Sequence, residues 1–225
     1  EYINAAPKGL VIEFPPRVPS FHLDIDAFAE EAIRREARIA VVVSPNNPTS
    51  LLVPKQELVR LLHILADHDC ILIVDESFID FAKNSESESL ENDVEDFHNL
   101  AIIKSMSKAY GICGIRIGYL LTANKDFRAQ VRRGLHIWNI NGFAEEFLRR
   151  APLYREEFKM SCEQVQKDRD EFFTLLSRIP GMKIYKPSAN YVFCRLPDTG
   201  PSAPEVTNKL FVEHDIYIKH CQGKT

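Results

Sequence analysis

Two short apolar runs constrain this chain more than anything else in it. Arg38-Ile39-Ala40-Val41-Val42-Val43 is a continuous, largely β-branched run, and Cys70-Ile71-Leu72-Ile73-Val74 is a second apolar run ending at Asp75; neither alternates apolar with polar positions. Strands that read this way are buried on both faces, and they belong to parallel sheets covered by helices. Between them, residues 54–67 put Leu58, Leu61, Leu62 and Leu65 on one helical face. Residues 100–103 and 117–121 supply a third and a fourth apolar strand. The alternation predicts an α/β fold with a mostly parallel sheet.

The pattern changes after residue 142. A long helical stretch covers residues 143–178, with a break expected at Pro152. Short strands over 182–185, 191–196 and 216–219, with a helix over 203–214, predict a small α+β domain. The expected division is a large domain over residues 1–145, then a connecting helix and part of a small C-terminal domain over 146–225. Residues 1–6 read as part of a helix already under way. Both ends read as interrupted, as though the chain were a piece of a longer one. Residues 83–89, Lys83-Asn84-Ser85-Glu86-Ser87-Glu88-Ser89, predict a solvated, mobile loop. Phe172 and Phe173 read as core.

Composition excludes several classes. The 28 Lys and Arg against 32 Asp and Glu give a net charge of −4, without a basic tract, so there is no electrostatic case for nucleic acid. No apolar run approaches the roughly 20 residues of a membrane helix. The five cysteines form no CxxC pair. Their odd number and apolar neighbours read as reduced, buried thiols and suit a cytoplasmic location. His63 and His68 do not share a helical face, so no metal site is expected.

Chemistry concentrates at predicted strand ends. Ser105-Met106-Ser107-Lys108 follows the third strand, with Gly111, Gly114, Arg116 and Gly118 behind it. Open α/β sheets bind ligands at this edge. A lysine amine there can form a Schiff base with an aldehyde. The hydroxyls of Ser105 and Ser107 and the planar guanidinium of Arg116 suit a phosphate. A four-residue SxSK recurs easily by chance; the arginine and glycines in register give it weight. Asp75 closes the second strand. It is either a simple cap or a carboxylate that keeps a pyridine nitrogen protonated, which makes the ring an electron sink. Asn47, in Ser44-Pro45-Asn46-Asn47-Pro48-Thr49, either marks a turn or donates its amide to a ring oxygen.

In this order, Asn47, Asp75 and Lys108 resemble the fold-type I pyridoxal-phosphate enzymes, specifically the class I/II aminotransferases. Ser44-Pro45-Asn46-Asn47-Pro48-Thr49 is similar to the family's SPNNPTG segment. Asp75-Glu76-Ser77-Phe78 is similar to its DEAY segment, and residues 105–119 to its lysine motif. Residues 75–81 and 188–193 look most like histidinol-phosphate aminotransferase and threonine-phosphate decarboxylase. The resemblance implies that Lys108 holds pyridoxal 5'-phosphate as a Schiff base. It also implies that Asp75 faces the ring nitrogen, Asn47 the ring oxygen, and Ser105, Ser107 and Arg116 the phosphate. Phe78 stands where many members carry tyrosine, and Ser50 where glycine is usual. The family's phosphate loop and ring-stacking aromatic are expected ahead of residue 1, and its substrate-carboxylate arginine beyond residue 225, so the segment alone is expected to be a poor catalyst.

The activity implied is an aminotransferase working on small-molecule amino acids and 2-oxo acids. The alternatives are an amino-acid decarboxylase of the threonine-phosphate type and a catalytically silent fold fragment. The resemblance further implies a homodimer, with Trp138-Asn139-Ile140-Asn141 near its interface.

Overall fold

The computed structural model describes residues 2–7 and 9–221. In chain order its main elements are α1 (Tyr2–Ala5), α2 (Ile25–Arg34), β1 (Ile39–Val43), α3 (Lys55–Ala66), β2 (Ile71–Asp75), α4 (Ser85–Glu88), β3 (Leu100–Ser105), α5 (Met106–Ala109), β4 (Gly118–Leu121), α6 (Lys125–Gly134), α7 (Gly142–Arg150), α8 (Arg155–Leu176), β5 (Lys183–Ile184), β6 (Cys194–Arg195) and α9 (Ala203–His214). A 3-10 turn at Ala151–Tyr154, with Pro152 in its first turn, makes the expected break between α7 and α8.

The four-stranded sheet runs β1-β2-β3-β4. The first three strands are parallel, with Val43 opposite Asp75 and Asp75 opposite Ile103. Their C-terminal ends therefore share one edge. β4 pairs antiparallel to β3, with Gly118 opposite Ser105. Only the four-residue α5 and turns lie between these two strands, with no covering helix of the kind a parallel crossover usually contains. A Cβ on Gly118 would come within 2.7 Å of the Lys104 carbonyl oxygen. Glycine at this position lets β4 close tightly onto the end of β3.

One face of the sheet carries α2 and α3. Leu58, Leu61, Leu62 and Leu65 of α3 are wholly buried against Val42, Leu72, Val74 and Ile102. Each such leucine contributes about 2 kcal/mol through burial. A second apolar cluster joins Phe78 and Phe81 to Cys162 of α8 and to Ala189, with Phe158, Val165 and Tyr191 at its margin. This cluster lies beside the C-terminal edge of the sheet.

Several expectations change. The segments 182–185 and 191–196 reduce to the two-residue strands β5 and β6, paired antiparallel. Residues 216–219 form no strand; Tyr217 is 77% exposed, and the short β5–β6 ladder extends no pairing to it. Residues 83–89 include a helical turn whose polar side chains make specific bonds. The Glu88 carboxylate accepts the Lys55 backbone N–H at 3.0 Å, doing at the start of α3 what Pro54 has no side chain to do. Phe172 is exposed rather than core. Cys70 and Cys162 are buried as expected, but Cys113 is exposed and Cys194 and Cys221 are half-buried. No described helix is long and apolar enough to cross a membrane.

Below the site edge lies a charged group centred on Lys104 of β3. Its ammonium pairs with Asp80 at 2.9 Å and Glu91 at 3.4 Å, and its side chain is 12% exposed. Tyr119 donates its hydroxyl to the same Glu91 carboxylate. Burial alone would lower the lysine pKa. The charges of Asp80, Glu91 and Glu76 more than reverse this and hold it above the ordinary value of 10.5. A raised cation pKa stabilises the fold fully below that ordinary value, and the contribution is lost as pH climbs through the higher folded value. Lys104→Met should therefore cost about 3 kcal/mol at neutral pH, by leaving Asp80 and Glu91 unpaired. The gap to wild type should shrink in melts taken from pH 9 to 12. A gap that stays constant over that range would show that the ammonium charge is not what stabilises this group.

Candidate active site at the C-terminal edge of the sheet

Asp75 is the last residue of β2, and its carboxylate is fixed from two sides. Oδ1 accepts the Ser77 N–H at 2.9 Å, and Oδ2 accepts the Tyr2 hydroxyl at 2.5 Å. Ser77 carries the arrangement to the neighbouring strand, because its hydroxyl accepts the Ser105 N–H at 3.0 Å. Next to Asp75, Glu76 points the other way into the core. It accepts from the Ser89 hydroxyl and the Leu90 N–H at 2.6 and 2.8 Å, and burial raises its pKa against these bonds.

The lysine segment begins where β3 ends. Ser105 is extended and caps α5 by accepting the Ser107 N–H at 3.4 Å. Ser107 is buried, and its Oγ is the one buried side-chain nitrogen or oxygen among the described residues without a hydrogen-bond partner. A buried hydroxyl in that condition needs an explanation. Lys108 is exposed, and its ammonium lies 5.9 Å from the centre of the Phe78 ring. No hydrogen bond or ion pair engages that ammonium among the described residues. Arg116 has a left-handed backbone (φ 59°) and an exposed guanidinium that donates to the Cys113 carbonyl at 3.3 Å. The pairing of Gly118 with Ser105 brings the chain back past Ser105, and Ser105 and Arg116 line a common cavity of about 840 Å³.

Asn47 sits in the turn after β1. Its side chain is exposed, and the turn is tied down around it. The Asn46 side chain accepts the Thr49 hydroxyl at 2.9 Å, and the Asn46 carbonyl accepts the Ser50 N–H at 2.7 Å and the Tyr191 hydroxyl at 2.8 Å. The Tyr191 ring meets Phe78 edge-on at 5.2 Å. Burial first, and then the nearby Asp75 charge, push the Tyr191 phenol pKa upward, so it stays a donor. A continuous set of contacts thus runs from Lys108 through Phe78 and Tyr191 to the Asn47 turn, with Asp75 beside it.

Sequence reasoning did not single out Tyr2, Ser77, Tyr191 or Arg169, and marked Ser50 only as a serine in a glycine's usual place. Arg169 is buried on α8, and its guanidinium donates to the carbonyls of Phe81 at 2.7 Å and Ala189 at 3.2 Å. One signal was present: Phe158, Cys162, Val165 and Arg169 share a helical stripe, so the arginine stands in an apolar row. Tyr110 stacks on Phe158 at 4.0 Å.

The chain belongs to the aminotransferase class I and II family, whose family model matches residues 3–225. The cofactor of this family is pyridoxal phosphate. The residues fit that group: Ser107 leaves a buried hydroxyl unpartnered beside an unengaged lysine amine, at the strand edge that holds Asp75. The chain is 40% identical over 225 residues to a CMP-5'-(3-aminopropyl)phosphonate synthase of Streptomyces rubellomurinus, covering 100% of this chain and 35% of that protein. It is 32% identical over 213 residues to an L-serine phosphate decarboxylase of Campylobacter jejuni, covering 91% of this chain and 53% of that one. Among solved structures, a decarboxylase from Sulfurospirillum multivorans matches with a TM-score of 0.88 at 29% identity, over 99% of this chain and 64% of that chain. The histidinol-phosphate aminotransferase from Clostridium acetobutylicum matches with a TM-score of 0.89 at 28% identity, over 99% and 65%. The chain therefore spans about a third to a half of the length of these curated relatives.

Proposed function

We propose that this chain forms the pyridoxal-phosphate site of a decarboxylase acting on an amino acid that bears a phosphate or phosphonate group. The observation that carries this reading is the 32% identity to an L-serine phosphate decarboxylase over 91% of the chain. It favours the decarboxylase alternative over the aminotransferase first expected from sequence. The aminotransferase reading keeps one support, the structural match to histidinol-phosphate aminotransferase.

Bound at this edge, pyridoxal phosphate supplies an electron sink for the pair left by a departing carboxylate. The chain's own residues do the rest. Lys108 would hold the cofactor through its amine, and once free it would be the group that delivers a proton to the substrate α-carbon. Asp75 would supply a fixed negative charge to the ring nitrogen, and its bonds from Ser77 and Tyr2 hold the carboxylate in place. Asn47 would donate its amide to the ring oxygen. Ser105, Ser107 and Arg116 would hold the phosphate. The balance is one C–C bond broken and one C–H bond formed, so an amino acid gives an amine and carbon dioxide. Two copies of the protein form the working unit, a proposal supported by the loop between α6 and α7, where Ile137 and Trp138 are 97% and 92% exposed.

The test uses the full-length protein with pyridoxal phosphate, O-phosphoserine or serine as substrate, and 2-oxoglutarate present or absent. The expected result is carbon dioxide and amine in equal amounts from the phosphorylated substrate, independent of the oxo acid. Glutamate formation from 2-oxoglutarate without carbon dioxide would establish the aminotransferase reading instead.

A further inference from the structure

Ser50 combines two features that rarely coexist without cause. Its backbone is left-handed (φ 62°), a region that disfavours any residue with a Cβ, and the residue is wholly buried. Glycine would adopt this turn without strain. The serine hydroxyl does something that glycine cannot. Ser50 Oγ accepts the Ala189 N–H at 2.8 Å and the Ser188 N–H at 3.2 Å. The Ser50 carbonyl also accepts the Ser188 N–H, at 2.8 Å. Ala189 is fully buried, so without the hydroxyl its N–H would lose its acceptor.

The same segment is held at two further points. Tyr191 donates to the Asn46 carbonyl, and Arg169 donates to the Ala189 carbonyl. Residues 188–191 and the turn that carries Asn47 are therefore bonded to each other at several points. Ser50 fastens the segment from the turn's own side chain, three residues from Asn47, where Tyr191 reaches the turn from the segment.

We propose that Ser50 is a positioning residue: its hydroxyl locks segment 188–191 onto the Asn47 turn, so that Asn47 keeps a fixed place at the cofactor ring. It acts through that turn and touches neither cofactor nor substrate. The inference rests on the cofactor site described above and not on which substrate bond breaks.

Two variants of the full-length protein separate positioning from mere stability. Ser50→Ala removes the hydroxyl and keeps the strained Cβ; Ser50→Gly removes the hydroxyl and relieves the strain. Hydrogen exchange is followed in the peptide over residues 186–192 without cofactor, and the visible absorbance of the cofactor-loaded protein is titrated against pH. Both variants should exchange the Ala189 amide about tenfold faster than wild type. Both should also move the absorbance midpoint by about half a pH unit or more in the same direction, although Ser50→Gly melts at a higher temperature than Ser50→Ala. If Ser50→Gly matches wild type in exchange and in midpoint, the hydroxyl has no positioning role and the proposal falls. If wild type itself develops no visible band with pyridoxal phosphate, the cofactor site is what fails, and the proposal falls with it.

Discussion

Lys108→Ala in the full-length protein should lower turnover by about 10⁴-fold while leaving the melting temperature within about a degree of wild type. The first half of this expectation comes from what the amine does. In the proposed function it is both the covalent anchor for the aldehyde and the group that moves a proton at the α-carbon, and a positioned acid–base group alone accounts for up to about 10⁴-fold. The second half comes from its surroundings. Lys108 is exposed, and its described contact is the Phe78 ring at 5.9 Å, too distant to contribute much to stability. Steady-state kinetics and calorimetry check the two halves separately. Turnover within tenfold of wild type would remove Lys108 from the chemistry, and a large drop in melting temperature would make it structural.

Asp75→Asn should cost about 10²–10³-fold in turnover, the effect of losing a preorganised charge aimed at the reacting system. Folding should hardly change. The amide oxygen can still accept the Ser77 N–H, and the Tyr2 hydroxyl can accept from the new amide nitrogen where it now donates to Oδ2. The loss should therefore fall mainly on kcat, with stability changed by no more than about 1 kcal/mol. The cap reading of Asp75 makes the opposite forecast, since either residue caps a strand end and turnover would stay near wild type. Kinetics and a melting curve on the one variant decide between them.

What was legible in the sequence follows from how local its cause is. β1, β2 and β3 were readable because each is an unbroken apolar run, and α3 because four leucines repeat at helical spacing. The direction of β4 was not, since an apolar run carries no sign of its pairing; the short connection through α5 decides it. Residues 216–219 show the converse: strand-like composition makes no strand without an edge to pair with. The acidic, serine-rich stretch at 83–89 looked unconstrained because its partners, Lys55 and Glu76, are far away in sequence. The site divides in the same way. Lys108, Asp75 and Asn47 could be proposed from sequence because each lies at or just beyond the end of a predicted strand. Tyr2, Tyr191 and Arg169 act on residues many positions distant, and no periodicity records such contacts. Ser50 left one trace, a serine where glycine is usual, and only the fold shows that its hydroxyl holds the segment beyond Pro187.

The central claim is that this edge holds pyridoxal phosphate through Lys108. Borohydride reduction of the loaded full-length protein, followed by peptide mapping, tests it most directly. The account predicts a reduced cofactor adduct on Lys108 in wild type, and none at that position in the Lys108→Ala protein. An adduct on a different lysine in wild type, persisting undiminished in Lys108→Ala, would contradict it.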